Sequence, residues 1–399
     1  MLRNTITLLI LFFSMSKISF TYGQEIKVID GVRYVQNKDF RTIKKPVDIN
    51  IDLVKTIGKI DTNDDNYLFY MPSDIVVGES GEIYVLDSGN HRIQKYGSNG
   101  EYIRTIGNEG QGPAEYKYPF SLDINTNEEL YIADQGNSRI QVIGRDGRNR
   151  KTVHITDGLG SIRILNSGNW LLGGGGGLAG MVSGSFSNDI KLMRLLDEEG
   201  NYKHNFCDRF DYNNLMMNRM GNEVFFTINE NDNIYIVFAY QNRIEKYSPG
   251  GKLLMQISRE LNYDLTRPEP ESQKAEGRMV SMKEPDMNRC SAGIAVDNKN
   301  RIWVITLNRQ IKDEEIVKTG MSIRRSAGGT RDISISVSGN TDIRRTDIFS
   351  IEIYDESGIL SGKIPLDHFA DGIRIFSDKV YILDSFRSMQ IYEYRINNQ

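Results

Sequence analysis

The stretch IYVLDSGNHRIQKYGSNGEYIRTIG, residues 83–107, decides the fold, because it returns as LYIADQGNSRIQVIGRDG at residues 130–147. The offset between the two copies is 47 residues throughout, so that Asp87 aligns with Asp134. Self-similarity at a fixed period of this length is the signature of a repeat architecture. The sequence therefore predicts a chain built from one repeated unit.

Each unit contains four short runs of β-branched and aromatic residues. In the first unit these runs are residues 74–77, 83–86, 93–96 and 102–106, and Gly, Asn, Asp and Ser separate them. Four strands with turn residues between them make one blade of a β-propeller. The Asn99-Gly100 pair suits a tight hairpin, because glycine adopts the left-handed backbone of such turns at little cost.

Weaker copies bring the number of units to six. Residues 233–247 keep the spacing of the repeat as far as Arg243, and the last unit keeps its aspartate as Asp384. Two degenerate units lie around residues 169–200 and 301–358.

The two ends of the repeat region complement each other. The sixth unit runs out of chain after its third strand, whereas LVKTIG at residues 53–58 copies the fourth-strand sequence YIRTIG at residues 102–107. An N-terminal strand that completes the last blade closes the ring and leaves no unpaired sheet edge. The predicted fold is all-β: a six-bladed β-propeller of four-stranded antiparallel blades over residues 51–399, closed by an N-terminal strand.

Residues 1–23 are typical of a secretory signal peptide. Arg3 precedes an apolar stretch at residues 5–13, which is shorter than the roughly 20 residues that span a bilayer. We expect cleavage near Gly23, before Gln24, and an exported protein in the periplasm or outside the cell, without a membrane span. An uncleaved anchor is the alternative. Residues 24–50 are expected to form a hairpin and extension on the outside of the ring.

The charge of the chain argues against a nucleic-acid partner. Removing Arg3 and Lys17 from the 49 basic residues leaves 47 against 53 acidic residues, a net charge of −6. Nucleic-acid-binding domains present a basic footprint instead.

The cysteine and histidine residues do not form a pattern typical of a metal site or of a disulfide framework. Cys207 and Cys290 either form one disulfide in an oxidising compartment or remain separate thiols, and the sequence leaves both alternatives open. The four histidines are too far apart for the usual spacing of metal ligands. The sequence therefore predicts no metal site.

The pattern Tyr-x-x-Asp-x-x-Asn-x-Arg-Ile, which starts at Tyr84 and again at Tyr131, resembles the NHL repeat. The segment GNEGQGPAEYKYP from Gly107 is similar to the link between blades in six-bladed propellers exported by bacteria. Propellers of this kind include amidating lyases, lactonases, RNA-binding modules and scaffold domains. The lyase-like and lactonase-like members hold a metal at the ring axis, which is the one cofactor that the resemblance implies.

Polar residues that recur in the units are interpreted as structural. They fall between strands two and three, where charge-assisted hydrogen bonds hold each loop to the neighbouring blade. A residue repeated in several blades serves something that every blade needs, whereas a ligand site is normally built once. These structural residues are Asp87, Arg92, Asp134, Arg139, Arg243 and Asp384.

Departures from the repeat point to function. Three insertions, at residues 173–188, 261–289 and 308–346, are all predicted to emerge on one face of the ring, which we call the loop-rich face. Function is usually placed in loops on one side of a rigid scaffold, although exposed loops also tolerate neutral insertions. The residues predicted to bind a ligand on this face are Asn90, His91, Asn137, Tyr240, Asn242, Arg309 and Arg387.

The function that these observations favour is a non-enzymatic binding or scaffold protein. It would recognise a glycan, peptide or protein through the loop-rich face, as a monomer and without a cofactor. GGGGG at residues 173–177 lacks the Lys-Ser/Thr of a phosphate loop, and no Gly-x-Ser-x-Gly elbow is present. The alternative, which the resemblance implies, is a lyase-like or lactonase-like enzyme with an axial Ca²⁺ bound by oxygen ligands.

Overall fold

The computed structural model describes residues 18–21, 24–38, 49–155, 159–174, 191–265, 287–325 and 331–398. Most of the predicted signal peptide therefore lies outside the described residues. The same is true of nearly all of the first insertion and of the middle of the second.

The described residues form 29 strands and one short α-helix, α1 (Leu215–Met220). The N-terminal strands are β1 (Ile18–Thr21), β2 (Gln24–Ile29), β3 (Val32–Asn37) and β4 (Ile49–Ile57). Blade 1 contains β5 (Pro72–Val77), β6 (Ile83–Asp87), β7 (Arg92–Tyr96) and β8 (Tyr102–Ile106). Blade 2 contains β9 (Pro119–Ile124), β10 (Leu130–Asp134), β11 (Arg139–Ile143) and β12 (Asn149–His154). Blade 3 contains β13 (Ser161–Ile164), β14 (Trp170–Gly173), β15 (Lys191–Leu196) and β16 (Tyr202–Asp208).

Blade 4 contains β17 (Val224–Ile228), β18 (Ile234–Phe238), β19 (Ile244–Tyr247) and β20 (Leu253–Ser258). Blade 5 contains β21 (Ser291–Val296) and β22 (Ile302–Leu307), then the inserted hairpin β23 (Val317–Arg325) and β24 (Arg331–Gly339), then β25 (Phe349–Tyr354) and β26 (Leu360–Pro365). Blade 6 contains β27 (Gly372–Phe376), β28 (Lys379–Asp384), β29 (Gln390–Asn398) and β4. The all-β fold of six four-stranded antiparallel blades is the predicted one.

Turn glycines fix the hairpins inside the blades. Gly100 and Gly147, at the same place in the first two copies, have φ of 90° and 84°. Each closes the turn between strands three and four, where the N–H of Gly100 donates to Gly97 at 2.9 Å. A side chain at either position would be strained, because L-residues rarely adopt this backbone.

Six hydrophobic clusters hold the blades together, one at each junction between neighbouring blades. Blade 1 packs on blade 2 around Leu86 and Leu122, and blade 6 packs on blade 1 around Tyr381 and Ile75. The side chains are buried because both faces of each sheet meet another blade. Six junctions for six blades leave no open end in the ring.

The last junction depends on a strand from the start of the chain. β4 pairs antiparallel with β29, with Ile57 opposite Ile391 and Lys55 opposite Glu393. Of the residues that resembled a fourth strand, 53–57 thus lie in the fourth strand of blade 6, and Gly58 directly follows it.

The hairpin of β2 and β3 lies on the outer edge of blade 4. It turns at Asp30 and Gly31, both of which have positive φ, and β3 pairs in parallel with β20. With β1 beyond β2, the sheet of blade 4 has seven strands, of which β1 lies within the predicted signal peptide and would be removed by cleavage before Gln24. Asn37 at the end of β3 also reaches blade 5, since its side chain donates to the carbonyl oxygen of Gly358 and accepts the N–H of Leu360.

All three predicted insertions leave the ring on the same face. The first lies between β14 and β15, the third between β22 and β25, and the second joins β20 to β21. In an up-and-down blade both types of connection emerge on one side. The third insertion contains the nine-residue strands β23 and β24, which form a sheet of their own.

Candidate functional site

The loop between β6 and β7 closes around Asp87, whose side chain is fully buried. One carboxylate oxygen accepts the N–H of Tyr70 at 2.8 Å, and the other accepts Asn90 Nδ2 at 2.9 Å and Arg92 Nε at 2.8 Å. Arg92 also donates to the carbonyl oxygen of Leu68 at 2.9 Å, in the segment that enters the blade. These bonds fasten the incoming segment to the loop.

Blade 2 repeats this arrangement. Asp134 accepts the N–H of Lys117 at 2.7 Å, Asn137 Nδ2 at 2.8 Å and Arg139 Nε at 2.7 Å. Arg139 donates onward to the carbonyl oxygen of Gly112 at 2.9 Å. Burial raises the pKa of Asp134 despite these donors. Asn137, which the sequence analysis placed with the ligand-binding residues, donates its amide to the structural aspartate, as Asn90 does in blade 1.

The weaker units replace parts of this set. In blade 4 the aspartate position is Phe238, and the Arg243 guanidinium lies 3.7 Å from its ring centroid. Arg243 still donates to the preceding link, at the carbonyl oxygen of Asp208, 3.0 Å away. Glu245 lies 3.3 Å from its Nε and supplies the missing negative charge.

Blade 6 keeps the aspartate and loses the arginine. Asp384 is fully buried and accepts the N–H groups of Arg387 and Ser388, each at 3.1 Å. Gln390 stands where the arginine would fall and donates to the carbonyl oxygen of Gly58 at 3.0 Å. Gly58 directly follows β4, so this amide binds the segment that leaves blade 6 for blade 1, whereas the arginines of blades 1 and 2 bind the segment that enters their own blade.

His91 faces the protein interior. Its Nδ1 accepts the N–H of Tyr118 at 2.9 Å, and the two rings meet edge to face with 4.5 Å between their centroids. Burial lowers the pKa of His91, which keeps the ring neutral. The side chain joins blade 1 to the link that leads into blade 2.

Asn242 is also engaged within the protein. Its Nδ2 donates to the carbonyl oxygen of Arg259 at 2.5 Å, and its Oδ1 accepts the N–H of the same residue at 3.2 Å. This pair fixes the start of the second insertion. Tyr240, two residues earlier, is half-buried and interacts electrostatically with Arg289.

Arg309 anchors the base of the third insertion. Its two terminal nitrogens each donate to one oxygen of Glu315 at 2.7 Å, and its Nε donates to Asp347 at 2.8 Å. The Arg309 guanidinium beside Glu315 lowers the pKa of that carboxyl to about 2. The ion pair spans both ends of the insertion, since Glu315 precedes β23 and Asp347 follows β24.

Arg387 connects that base to blade 6. Its guanidinium lies over the ring of Phe369, 3.3 Å from the centroid, and donates to the carbonyl oxygen of Glu315 at 2.5 Å. Burial lowers the pKa of Arg387. Both arginines predicted to bind a ligand therefore have partners inside the protein.

Four charged side chains meet on the ring axis, one from each innermost strand of blades 1, 2, 3 and 6. Asp74 on β5 lies 3.2 Å from Arg163 on β13, and Asp123 on β9 lies 2.9 Å from Arg374 on β27. Arg374 also comes within 3.8 Å of Asp74. Each side chain is at most 10 % exposed. Two positive and two negative charges thus balance at the axis.

The axial carboxylates do not fit a divalent cation. One oxygen of Asp74 already accepts the Ser121 hydroxyl at 3.0 Å and the N–H of Leu122 at 3.1 Å, besides Arg163. Burial favours the neutral acid, but the charges of Arg163 and Arg374 outweigh it and lower the pKa of Asp74. A cation would have to enter beside two guanidinium groups. In the part of the chain that the structure describes, no three His, Cys, Asp or Glu side chains are grouped to hold a metal.

Arg289 is the prominent charge at the mouth of the axis on the loop-rich face. It lies two residues before β21, with its guanidinium over the ring of Phe225 at 5.5 Å from the centroid. Its Nε donates to the carbonyl oxygen of Ser291 at 3.1 Å, and Glu223 lies 3.9 Å from its Nη2. The side chain keeps 28 % of its exposure. The cation is therefore held in place but remains reachable from solvent.

Asp371, just before β27, interacts electrostatically with Arg289. The N–H of Ser385 donates to its carboxylate at 2.9 Å. Burial and the neighbouring Asp384 raise the pKa of Asp371 to about 6, against the opposing charges of Arg289 and Arg387. We call Glu223, Arg289 and Asp371 the mouth cluster.

The sequence analysis missed the mouth cluster, although a signal was present. Glu223 and Asp371 directly precede the first strands of blades 4 and 6. The two close copies have Met71 and Tyr118 at this position. A charged residue at a position that is apolar or aromatic in the clear repeats departs from the repeat, and such departures indicate candidate functional residues. Arg289 has no such signal, because it ends an insertion without a counterpart.

The two cysteines are separate. Cys207 lies at the end of β16 and Cys290 directly before β21, and both are buried free thiols. Burial raises the pKa of both, so the protonated form is favoured.

The match to a known protein family lies in the first blade. The NHL repeat model matches residues 69–96, which span β5 to β7 and include the Asp87 loop. The chain thus contains a segment that matches the NHL repeat, within a six-bladed β-propeller. No curated protein has a significantly similar sequence.

Solved structures share the propeller fold of this chain. A member of the DUF4221 family from Bacteroides vulgatus has 10 % identity and a TM-score of 0.53, over 89 % of this chain and 100 % of that one. A Bacteroides fragilis protein whose name designates it as exported has 11 % identity and a TM-score of 0.53, over 92 % and 99 %. A streptogramin B lyase reaches 13 % identity and a TM-score of 0.45, over 88 % and 98 %. Identities this low show the fold alone.

None of the helical residues in the described ranges forms a segment with the length and apolar character needed to cross a bilayer.

Proposed function

We propose that this β-propeller is a non-enzymatic binding or scaffold protein that recognises a glycan, peptide or protein partner through the loop-rich face. The partner would sit over the mouth cluster, between the second and third insertions. The observation that carries the proposal is the contrast between the axis and this mouth. At the axis each arginine is hydrogen-bonded to an aspartate, whereas the terminal nitrogens of Arg289 at the mouth make no hydrogen bond to the residues that the structure describes, and the side chain is 28 % exposed.

The anchoring of the third insertion supports the same proposal. Arg309, Glu315 and Arg387 form a rigid base, so that the hairpin of β23 and β24 stands on a fixed support beside the mouth cluster. Fixed loops lose less conformational entropy on binding than mobile ones. The balanced charges of the axis count against the alternative, a metal-dependent lyase or lactonase.

We further propose that the protein is exported. The basic residue, apolar stretch and small residue at the start of the chain support a cleaved leader. Mass determination of the protein secreted by its host should give an N-terminus at Gln24, and an uncleaved Met1 would contradict export by this route.

The binding proposal is tested by removing the hairpin alone. Val317 and Gly339 are paired directly across its base, so deletion of residues 317–339 leaves Arg309, Glu315 and the ring in place. The intact protein and this variant are compared on arrays of glycans and peptides, and their thermal unfolding is measured. We expect the deletion to abolish the specific signal and to leave the unfolding temperature within a few degrees.

Glu356→Gln serves as the control on the same blade. Glu356 lies in the turn between β25 and β26, on the opposite face, and its side chain is 65 % exposed. Its binding should match that of the intact protein. A deletion variant that folds and keeps the full array signal would refute recognition through this face.

A further inference from the structure

We infer that Arg289 is the anchor of a carboxylate-binding site at the mouth of the axis, with Asp371 as the internal carboxylate that competes with the ligand. This inference rests on the proposed function, since it names the chemical group that the loop-rich face recognises. It assigns a role to the terminal nitrogens of Arg289, which make no hydrogen bond within the described ranges.

The guanidinium of Arg289 has donors to spare. Among the residues that the structure describes, its hydrogen bond is the one from Nε to Ser291, and Glu223 at 3.9 Å is beyond hydrogen-bond distance from Nη2. A guanidinium presents five N–H groups in a planar fork that matches the two oxygens of a carboxylate. The terminal nitrogens therefore offer a bidentate site that the protein itself leaves open.

The backbone around Arg289 is fixed before any ligand arrives. Gln310 accepts the N–H of Arg289 at 3.0 Å and donates to its carbonyl oxygen at 2.9 Å. The ring of Phe225 supports one face of the guanidinium. A site whose side chain is already oriented binds with a smaller entropic cost.

The surrounding charges favour a single negative charge on the ligand. Burial lowers the pKa of the Arg289 guanidinium, but Glu223, Tyr240, Asp371 and Cys290 outweigh it and hold the pKa above its usual value. A phosphate dianion would meet both carboxylates, whereas a carboxylate adds one negative charge. The local field therefore selects the smaller anionic charge.

Protonation of Asp371 changes this competition. The charged and titratable groups that face the carboxyl come from three blades: Arg289 from blade 5, Asp384 and Arg387 from blade 6, and, through Arg289, Glu223 and Tyr240 from blade 4. When Asp371 takes up a proton, Arg289 loses one negative neighbour. The site should then hold an external carboxylate more tightly at pH 5.5 than at pH 7.5.

The test uses the full chain and isothermal titration calorimetry with two small carboxylates, galacturonate and N-acetyl-dialanine. Each has a neutral matched probe, galactose and the C-terminal amide of the same dipeptide. We expect at least one carboxylate to bind while its neutral match does not, and we expect its affinity to rise about three- to tenfold from pH 7.5 to pH 5.5. The arm that binds tells whether the carboxylate belongs to an acidic sugar or to a peptide terminus.

Three variants and one control make the result specific. Arg289→Gln should lower the affinity at least about tenfold, because it removes the charge-assisted fork. Arg289→Lys, a second variant in case the first does not fold, should bind more weakly than the intact protein. Asp371→Asn should bind at pH 7.5 as tightly as the intact protein does at pH 5.5, with the pH dependence gone. Arg345→Gln, at an exposed arginine on the same face, should change nothing.

Failure to bind either carboxylate at millimolar concentration, or equal binding by the Arg289→Gln variant, would overturn the inference. An array partner that depends on residues 317–339 but not on Arg289 would overturn it while the proposed function stands. If the protein bound no carboxylate and the array signal did not depend on residues 317–339, both the inference and the proposed function would be overturned.

Discussion

Glu393 on the last strand of the chain and Lys55 on the first strand of the ring lie 3.1 Å apart across the closing pair of blade 6. The carboxylate is fully buried, and Lys379 on the neighbouring strand lies 2.8 Å from its other oxygen. One buried negative charge therefore spans three adjacent strands, β28, β29 and β4. It links the ring closure to an electrostatic interaction as well as to the backbone ladder.

Replacing Glu393 by glutamine should weaken the closure. Two lysines would lose their shared counter-charge, and we expect the free energy of unfolding to fall by about 2–3 kcal/mol, somewhat less than for a wholly buried pair because the lysines are partly exposed. Urea denaturation followed by tryptophan fluorescence measures this. Glu25→Gln, in an exposed ion pair with Lys27, should stay within about 0.5 kcal/mol of the intact protein. Equal stability of all three proteins would show that closure depends on the backbone alone.

The axial charges give a second stability prediction. Arg374→Met leaves Asp74 and Asp123 without one of their two shared cations, and breaking a buried ion pair on one side costs about 3–5 kcal/mol. The same denaturation measurement should show a loss of this order. The matched control is Arg150→Met, because that side chain is 50 % exposed and pairs with Asp146 on the surface. A loss below about 1 kcal/mol for Arg374→Met would contradict the balanced network.

The anchor of the third insertion can be separated from the ring. Arg309→Met removes the fork to Glu315, so we expect faster tryptic cleavage within residues 317–325 and 331–339 at pH 7.5 and little change in the unfolding temperature. Gel analysis of a digestion time course measures this rate. Arg345→Met removes a surface pair that is 84 % exposed on the arginine side and should leave the cleavage rate unaltered. An Arg309→Met protein cleaved no faster than the intact one would mean that the insertion is held by other contacts.

The pH dependence of stability should reveal Asp371. Its pKa is raised to about 6 in the folded protein from 3.8, so the folded state binds more protons than the unfolded state between these values. Stability from this group is therefore present at pH 4 and is lost as the pH rises through 6. Asp371→Asn should unfold at higher denaturant concentration than the intact protein at pH 7.5, by on the order of 1–2 kcal/mol, and should lose this advantage near pH 4. An Asp371→Asn variant that is less stable than the intact protein at pH 7.5 would contradict this prediction.

Much of the fold could be predicted because the repeated unit occurs in two close copies, with the same strand and turn residues at the same positions. The strands of blade 1 lie within two residues of their predicted bounds, since glycine and asparagine mark each turn. Residues 53–58 resembled a fourth strand, and 53–57 lie in one. Inside the third insertion the alternation ISISVS at residues 333–338 was a period-two signal for β24 that the analysis did not use.

The site was harder to predict, for a physical reason. Asparagine is a residue type usually found on protein surfaces, but Asn90 and Asn137 recur at the repeat spacing. Their side-chain amides donate hydrogen bonds to the neighbouring aspartates, Asp87 and Asp134. The rule applied to Asp87 should have moved both residues to the structural set. Arg289 owes its position to Gln310, which lies at the start of the third insertion, and no local pattern relates two such distant segments.

The strand β3 has one more consequence for the molecule as a whole. It is hydrogen-bonded along β20 and, through Asn37, to the turn before β26, so it works as a strap across the rim. Because β3 connects blades 4 and 5, we expect these two blades to move together as one rigid unit. Any loosening of the propeller would then start elsewhere on its circumference. Glu223 on blade 4 and Arg289 on blade 5 would keep their relative positions, whereas Asp371 on blade 6 lies outside the connected pair of blades.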